Sequence, residues 1–149
     1  MMPLQTNERL KPEIQKEGCL WLCYIRAAGI VHKQTWDVHQ LNMFYEYCLD
    51  RGFINSRCRV IQPDLMLRKL GVRLTGWIRK EPLGYKPESN EIVIEEWFNP
   101  PTGHHHFVMG EPYFWDSLGE SVTVTDGSLL SYRVIPLIGF EVPHGGVNA

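Results

Sequence analysis

The stretch EGCLWLCYIRAAG, residues 17–29, decides the fold of this chain. From Cys19 onward it is apolar on nearly every side, with Arg26 as its only charge, and it ends at a glycine suited to a helix C-terminus. An amphipathic surface helix has a polar face, so this pattern predicts a helix enclosed by the rest of its domain. A buried strand is the competing interpretation, but the length of the stretch and its two alanines favour a helix.

Two further helices are predicted on the C-terminal side of this stretch. The first spans residues 35–51, because Thr35 can cap it, Asp37 suits its positive first turn and Gly52 stops it. The second is shorter and spans residues 63–70, with a proline in its first turn and a glycine directly behind it.

The remainder of the chain reads as a polar lead-in, a run of strands and a tail. Residues 1–17 contain two prolines and are expected to be extended, and the tail at 137–149 is expected to be loose. The pair Asp126-Gly127 is a strong hairpin signal. Strands are predicted between turn-forming segments at residues 72–79, 91–98, 104–109, 113–116, 121–125 and 129–135. Helices followed by strands predict an α+β fold, with N-terminal helices packed on a C-terminal antiparallel β-sheet.

Composition limits the classes of function. The length of 149 residues suits a single domain over 1–149, and the 44% apolar and 21% charged residues are ordinary for a globular protein. A formal charge of −2 gives no bulk attraction to nucleic acid or to anionic membranes, and no stretch is apolar enough for a membrane span. The start of the chain has no apolar signal region, so we expect a cytoplasmic protein with reduced thiols.

Cys19 is the candidate nucleophile among the four cysteines. Cysteine chemistry requires the thiolate, which a helix N-terminus stabilises through its unpaired N–H groups and its dipole. Cys23 lies one turn further along the same face, where burial is expected to keep it inert. The side-chain amide of Gln15 is placed to help hold an oxyanion beside the Cys19 backbone N–H. The alternative is that Cys19 is a small buried apolar residue, as most free cysteines are.

A base and its orienting acid are predicted in the segment TGHHHFVMGEPYFWDSLG, residues 102–119. A thiol nucleophile needs an imidazole to take its proton, and the imidazole needs a partner that orients it. If residues 110–112 form a short hairpin loop, residues whose numbers sum to about 222 face each other, which places His106 opposite Asp116. A shift of one residue in register favours His105 instead, because successive side chains alternate between faces.

The three consecutive histidines also raise the question of a metal site. On a strand only His104 and His106 share a face, and no spaced helical partner such as HExxH exists in the sequence. We therefore expect no metal and no other cofactor.

The same residues resemble a known family. EGCLWLCYIRAAG, followed far downstream by GHHHFVMG and FWDSLGESVTVTDGSLLSYRVI, is similar to the small papain-like domains of bacteria, phages and plasmids, and most of all to the bacteriocin leader-processing peptidases. The resemblance implies a papain-like fold in which Cys19 is the nucleophile, His106 the base and Asp116 the orienting acid. Gln15 corresponds to the oxyanion glutamine, although it lies closer to the cysteine than the family usually places it.

Three functions are consistent with the sequence. The first is a cysteine hydrolase of the peptidase or amidase type that acts on a peptide or another amide. The second is a catalytically inactive binding protein on the same fold, for example a phage protein that captures a host component. The third treats the two predicted helices at 38–51 and 63–70 as a helix-turn-helix, although the segment between them is long for the usual tight turn. We expect no nucleic-acid and no membrane partner, and the sequence leaves the oligomeric state open.

Overall fold

A computed structural model describes residues 2–144 of the chain. The chain divides into two compact units, Met1–Val72 and Arg73–Ala149. The first unit is helical and the second contains the β-sheet. The predicted α+β class is therefore confirmed, with the helices first in the chain and an antiparallel sheet after them.

Four helices form the first unit. They are α1 (Pro12–Glu17), α2 (Cys19–His32), α3 (Val38–Arg51) and α4 (Pro63–Lys69). Helices α2 and α3 have 14 residues each. Among the described residues no helix has both the length and the apolar character needed to cross a membrane.

Helix α2 is the enclosed helix that its sequence predicts. It begins at Cys19, and its buried residues occupy nearly every side of the helix. They are Trp21, Leu22, Cys23, Tyr24, Ile25, Ala27, Ala28 and Gly29. The predicted stop at Gly29 is wrong, because α2 continues for three more residues to His32 and Lys33, in the left-handed conformation (φ 55°), provides the C-cap.

The expectation of an extended lead-in over residues 1–17 does not hold for its second half. Residues Pro12–Glu17 form α1, since a proline in the first turn of a helix removes an N–H that has no partner there. Ile14 is fully buried and Leu10 nearly so, and these apolar contacts hold the segment against the rest of the unit.

The predicted cap of α3 at Thr35 is also wrong. Asp37 is the N-cap, because its side chain accepts a hydrogen bond from the Gln40 N–H at 2.8 Å and the Gln40 side chain accepts one from the Asp37 N–H at 2.9 Å. This reciprocal arrangement satisfies two N–H groups at once, which a threonine two residues earlier cannot do. Helix α3 ends at Gly52, as expected.

The segment between α3 and α4 is a small hairpin rather than a tight turn. Ile54 and Val60 form an antiparallel bridge, and Cys58 at its tip adopts a left-handed conformation with φ 60°. Helix α4 begins at Pro63 as predicted.

The second unit is built on a four-stranded antiparallel sheet. Its strands are β1 (Arg79–Pro82), β2 (Glu91–Asn99), β3 (His104–Met109) and β4 (Ser128–Pro136), in the spatial order β1-β4-β2-β3. Strand β3 has the predicted bounds, and β2 and β4 extend the predicted strands by a residue or two. Trp97 on β2 lies opposite His106 on β3, and Glu95 lies opposite Val108.

Two predicted strands are reduced to isolated bridges. Before β1 begins at Arg79, the last residue of the predicted strand 72–79, only Leu74 pairs, with Leu137, because the chain bends after Leu74 through Thr75 and Gly76. Within 113–116 only Trp115 pairs, with Met109. Pro112 has no N–H for a ladder, and a turn follows directly after the bridge, so no strand continues there.

The predicted strand at 121–125 is a single helical turn, α5 (Val122–Thr125). The β-branched residues predicted a strand, but Ser121 caps a helical turn by accepting a hydrogen bond from the Val124 N–H. Gly127 then does not form the predicted two-residue hairpin. A Cβ at this position would lie 2.1 Å from the Thr123 carbonyl oxygen and 2.5 Å from that of Phe98, so only glycine fits.

Part of the predicted loose tail is attached to the unit. Leu137 N–H donates to Asn90 O at 2.9 Å, Val142 N–H donates to Ser89 O at 2.7 Å, and the side chains of both Leu137 and Val142 are buried. Residues 145–149 lie outside the described residues, so the expectation for them stays a prediction.

The cap of α3 gives a test of the helical unit. Asp37→Ala should lower the free energy of unfolding by about 1 kcal/mol, because it leaves N–H groups of the first turn without their acceptor. Thr35→Ala is the matched control and should change it by less than about 0.5 kcal/mol, since Thr35 is exposed. Urea unfolding followed by circular dichroism measures both. An equal loss in the two variants would contradict the assignment of the cap.

Candidate functional site

The described part of the second unit contains a buried histidine–aspartate pair. His106 Nε2 lies 2.7 Å from Asp116 Oδ1, and the two side chains are only 6% and 2% exposed. Asp116 Oδ1 also accepts a hydrogen bond from the Leu118 N–H at 2.9 Å, which fixes the carboxylate from a second direction. The arrangement holds one edge of the imidazole and leaves little freedom for the ring to rotate.

The backbone brings these two side chains together with a register that differs from the expected one. Met109 bridges Trp115, so the numbers of facing residues sum to 224 rather than 222. His106 and Asp116 are therefore not direct cross-strand partners. Their side chains still meet because Asp116 lies just beyond the bridge, where the chain turns back through the Leu118 hydrogen bond.

The pKa of Asp116 reflects two opposing influences. Burial alone would raise it, but the hydrogen bond from His106 and that from the Leu118 N–H outweigh burial and hold the pKa below its ordinary value. The carboxylate is therefore ionised at neutral pH and acts as the acceptor. It follows that His106 carries a proton on Nε2, facing Asp116.

The two neighbouring histidines have other environments. His104 is exposed, and His105 points to the opposite face of the sheet, where its Nδ1 lies 2.9 Å from Glu96 Oε2 and its ring lies 4.7 Å from that of Phe98. Of the three histidines, His106 is the one that is buried against an aspartate.

Cys19 is the first residue of α2 and the least buried of the four cysteines; the other three are buried. Gly18 separates α1 from α2, and a Cβ at Gly18 would lie 2.5 Å from the Ile14 carbonyl oxygen. Glycine therefore lets one helix end and the next begin within one residue, which leaves Cys19 at the N-terminal end of α2.

Two of the buried cysteines are poor thiolates. Burial raises the pKa of Cys48 to about 11. Burial also raises the pKa of Cys58, and the charges of Cys48 and Cys19 raise it further. Neither thiol is suited to nucleophilic attack at neutral pH, since the reactive species is the thiolate.

Gln15 uses its amide within its own unit. Its Nε2 donates to the Leu10 backbone carbonyl oxygen at 2.8 Å, and the backbone carbonyl oxygen of Gln15 accepts from Gln5 Nε2 at 3.0 Å. Sequence reasoning did not select Gln5, which is only 3% exposed. A buried glutamine is uncommon, and its position in a polar segment without periodicity gave no signal that it would be buried.

The candidate residues belong to the two different units. Gln15 and Cys19 lie in Met1–Val72, and His106 and Asp116 lie in Arg73–Ala149. The contact of His106 with Asp116 is present, and the meeting of the Cys19 thiol with the imidazole stays a prediction. Over residues 2–144 no group of three His, Cys, Asp or Glu side chains is placed to hold a metal ion.

Comparison with known proteins gives a family without a function. Residues 1–137 match the family model DUF261, described as a protein of unknown function, so the chain belongs to the DUF261 family. No curated protein and no solved structure matches the chain significantly.

The pH dependence of stability tests the His106–Asp116 pair. The folded-state pKa of Asp116 is below its ordinary value of 3.8, so the stability that it contributes is present above that pH and is lost as the pH falls through the folded pKa. Asp116→Asn should therefore destabilise the protein at pH 7, and the difference from wild type should shrink below about pH 4. Urea unfolding at pH 7 and pH 3 measures it. Asp126→Asn, at an exposed position, is the control and should have little effect at either pH.

Thiol reactivity tests the placement of Cys19. Cys19 should be alkylated first by iodoacetamide at pH 7, because it is the most accessible and lies at a helix N-terminus. Cys48 and Cys58 should react only after unfolding. Peptide mapping by mass spectrometry follows each cysteine separately. Labelling of Cys48 or Cys58 before Cys19 in the folded protein would contradict this placement.

Proposed function

We propose that the protein is a cysteine hydrolase of the peptidase or amidase type, with a papain-like arrangement of Cys19, His106 and Asp116. The observation that carries the proposal is the buried His106–Asp116 pair at 2.7 Å. A histidine fixed by a carboxylate at one nitrogen is the arrangement that a cysteine or serine nucleophile requires of its base. The position of Cys19 at the start of α2 supports Cys19 as the proposed nucleophile.

The proposed reaction begins with proton transfer from the thiol. His106 Nδ1 accepts the proton of Cys19, and the thiolate sulfur attacks the carbonyl carbon of the amide substrate to give a tetrahedral oxyanion. The imidazolium then donates its proton to the nitrogen of the leaving amine as the carbon–nitrogen bond breaks. Water, deprotonated by His106, attacks the resulting thioester and releases the carboxylic acid and the free thiol.

Asp116 acts on the charged form of the base. During the reaction His106 becomes an imidazolium in a buried position, where an uncompensated charge would be costly. The ionised carboxylate of Asp116 offsets that charge and keeps Nε2 protonated, so Nδ1 is always the nitrogen that exchanges the proton. Asp116 is therefore a positioning and electrostatic group rather than a proton carrier.

The oxyanion is proposed to bind N–H groups at the start of α2. The first N–H groups of a helix have no intrahelical acceptor and point along the positive end of its dipole. Gln15 is the glutamine that the sequence predicts as a further donor. The amides of Gln15 and Gln5 each donate one hydrogen within the fold, to Leu10 O and to Gln15 O, and each Nε2 has a second hydrogen, so Gln5 is an alternative donor. Separate Gln5→Ala and Gln15→Ala variants distinguish the two.

Three substitutions test the catalytic proposal. Cys19→Ala and His106→Ala should abolish cleavage of a library of fluorogenic peptidyl coumarylamides, because each removes a group that reacts. Asp116→Asn should reduce kcat by a smaller but large factor, since an amide favours the wrong imidazole tautomer and does not stabilise the imidazolium. Circular dichroism establishes that each variant is folded.

The chain offers a matched control for each removed group. Cys23→Ala removes a thiol one turn further along α2, and His105→Ala removes the exposed neighbour of the base. Both should retain cleavage. Cleavage by a well-folded Cys19→Ala protein would end the proposal, and loss of cleavage in Cys23→Ala alone would move the nucleophile to that residue. A wild-type protein that cleaves no member of the library would favour the inactive binding protein instead.

A further inference from the structure

One carboxylate of the sheet differs from the other buried and half-buried carboxylates in having no cationic partner. Glu91 pairs with Arg79 at 2.8 Å, and Asp116 pairs with His106 at 2.7 Å. Glu96 contacts both Arg133 and His105. Glu95 forms no ion pair with any residue in the described part of the chain, and its Oε1 accepts one hydrogen bond, from Trp97 Nε1 at 3.0 Å.

The surroundings of Glu95 are aromatic and anionic. Tyr132 lies directly opposite Glu95 on β4, and Trp97 lies two residues further along β2 on the same face. Burial raises the pKa of Glu95; the hydrogen bond from Trp97 opposes the rise, and the charge of Glu111 adds to it. A half-buried carboxylate with this environment lacks the positive charge that would stabilise its ionised form.

Glu95 lies on the face of the sheet that carries His106. Trp97 is paired with His106, and residues directly opposite each other in an antiparallel pair share a face. Glu95 is the diagonal neighbour of His106, a relationship that places the two residues about 7–8 Å apart, with the Cβ atoms somewhat closer. Consecutive Cα atoms of a peptide are about 3.8 Å apart, so this separation corresponds to one or two residues of a substrate.

We propose that Glu95 is a specificity-determining residue that binds a cationic group of the substrate, with Trp97 and Tyr132 as its aromatic walls. The group is an organic cation, either the side chain of a lysine or arginine or an α-ammonium group, next to the bond that is cleaved. Ammonium and guanidinium groups bind favourably to a carboxylate and to the faces of aromatic rings. A metal ion is not the fitting cation, since no group of three ligands is assembled in the described residues. The inference rests on the proposed hydrolase function.

The test compares charged and uncharged substrates of the same length. The probes are acetylated tripeptidyl coumarylamides with lysine or norleucine at each of the two positions before the cleaved bond. Wild type should prefer lysine over norleucine by at least about tenfold in kcat/KM at one of these positions, as expected for a hydrogen-bonded charge pair. Glu95→Gln should reduce the preference to near one, while retaining the acceptor for Trp97 and nearly the same volume.

A neighbouring glutamate on the opposite face provides the matched control. Glu96→Gln removes a negative charge one residue away, but that charge is already compensated by Arg133 and His105. This variant should keep the preference for lysine. Glu95→Lys is a second variant and should favour glutamate over lysine at the same position. A wild-type ratio near one, or a ratio unchanged in Glu95→Gln, would overturn the inference and leave the hydrolase proposal standing.

A binding measurement separates this inference from the catalytic proposal. Calorimetric titration of the Cys19→Ala protein with the corresponding lysine and norleucine tripeptide amides requires no turnover. If Cys19→Ala binds the lysine peptide more tightly, Glu95→Gln removes that preference, and the wild-type protein cleaves no peptide of the library, the cation site is supported and the hydrolase is contradicted. Absence of both cleavage and selective binding would overturn both.

Discussion

The antiparallel pairing of β2 with β3 is the constraint on which the arrangement of the second unit depends. Because successive side chains alternate between faces, this register sends His105 to one face and His106 to the other. In the same way, Glu95 lies on the face of the sheet that carries His106, and Glu96 lies on the face that carries His105. A slip of one residue of β3 against β2 would exchange the faces of His105 and His106 and bring His106 to the face that carries Glu96. The register therefore determines which histidine meets Asp116 and is available as a base.

Burial and hydrogen bonding act together on the carboxylates of this sheet. Desolvation alone would raise the pKa of Asp116 and that of Glu96, but in both the hydrogen bonds to charged or polar neighbours prevail and the pKa falls. Glu96 accepts from Ser131 Oγ at 2.8 Å and also contacts His105 and Arg133. Removing one partner of a hydrogen-bonded buried carboxylate leaves an uncompensated charge in the low-dielectric interior. These carboxylates therefore hold the side chains that contact them in place. The proposed base is held by the same kind of interaction.

The sequence predicts the regular elements well and the local exceptions poorly. Strand β3 and the start of α2 were predicted correctly because glycine-containing breakers bound these segments. The helical turn at 122–125 was missed because the Ser121 cap overrode β-branched residues. The sequence predicts the contact of His106 with Asp116 from a cross-strand register that differs from the observed pairing of Met109 with Trp115. The contact still forms because the two side chains reach each other without being direct cross-strand partners. The burial of Gln5 depends on long-range packing that no local pattern encodes.

Glu95 and Glu96 show how adjacent residues of one strand can have opposite energetic roles. The ionised form of Glu96 is satisfied within the fold, so it contributes to the stability of the sheet. The charge of Glu95 is opposed by burial and by Glu111, and the hydrogen bond from Trp97 offsets only part of this opposition, so the pKa is raised and ionisation costs stability. Proteins keep such unfavourable groups chiefly where function requires them. A cationic ligand would make the ionisation of Glu95 favourable, because it supplies a positively charged partner of the kind that Arg133 provides to Glu96. The instability of the ionised carboxylate in the free protein is thus the source of affinity in the proposed complex.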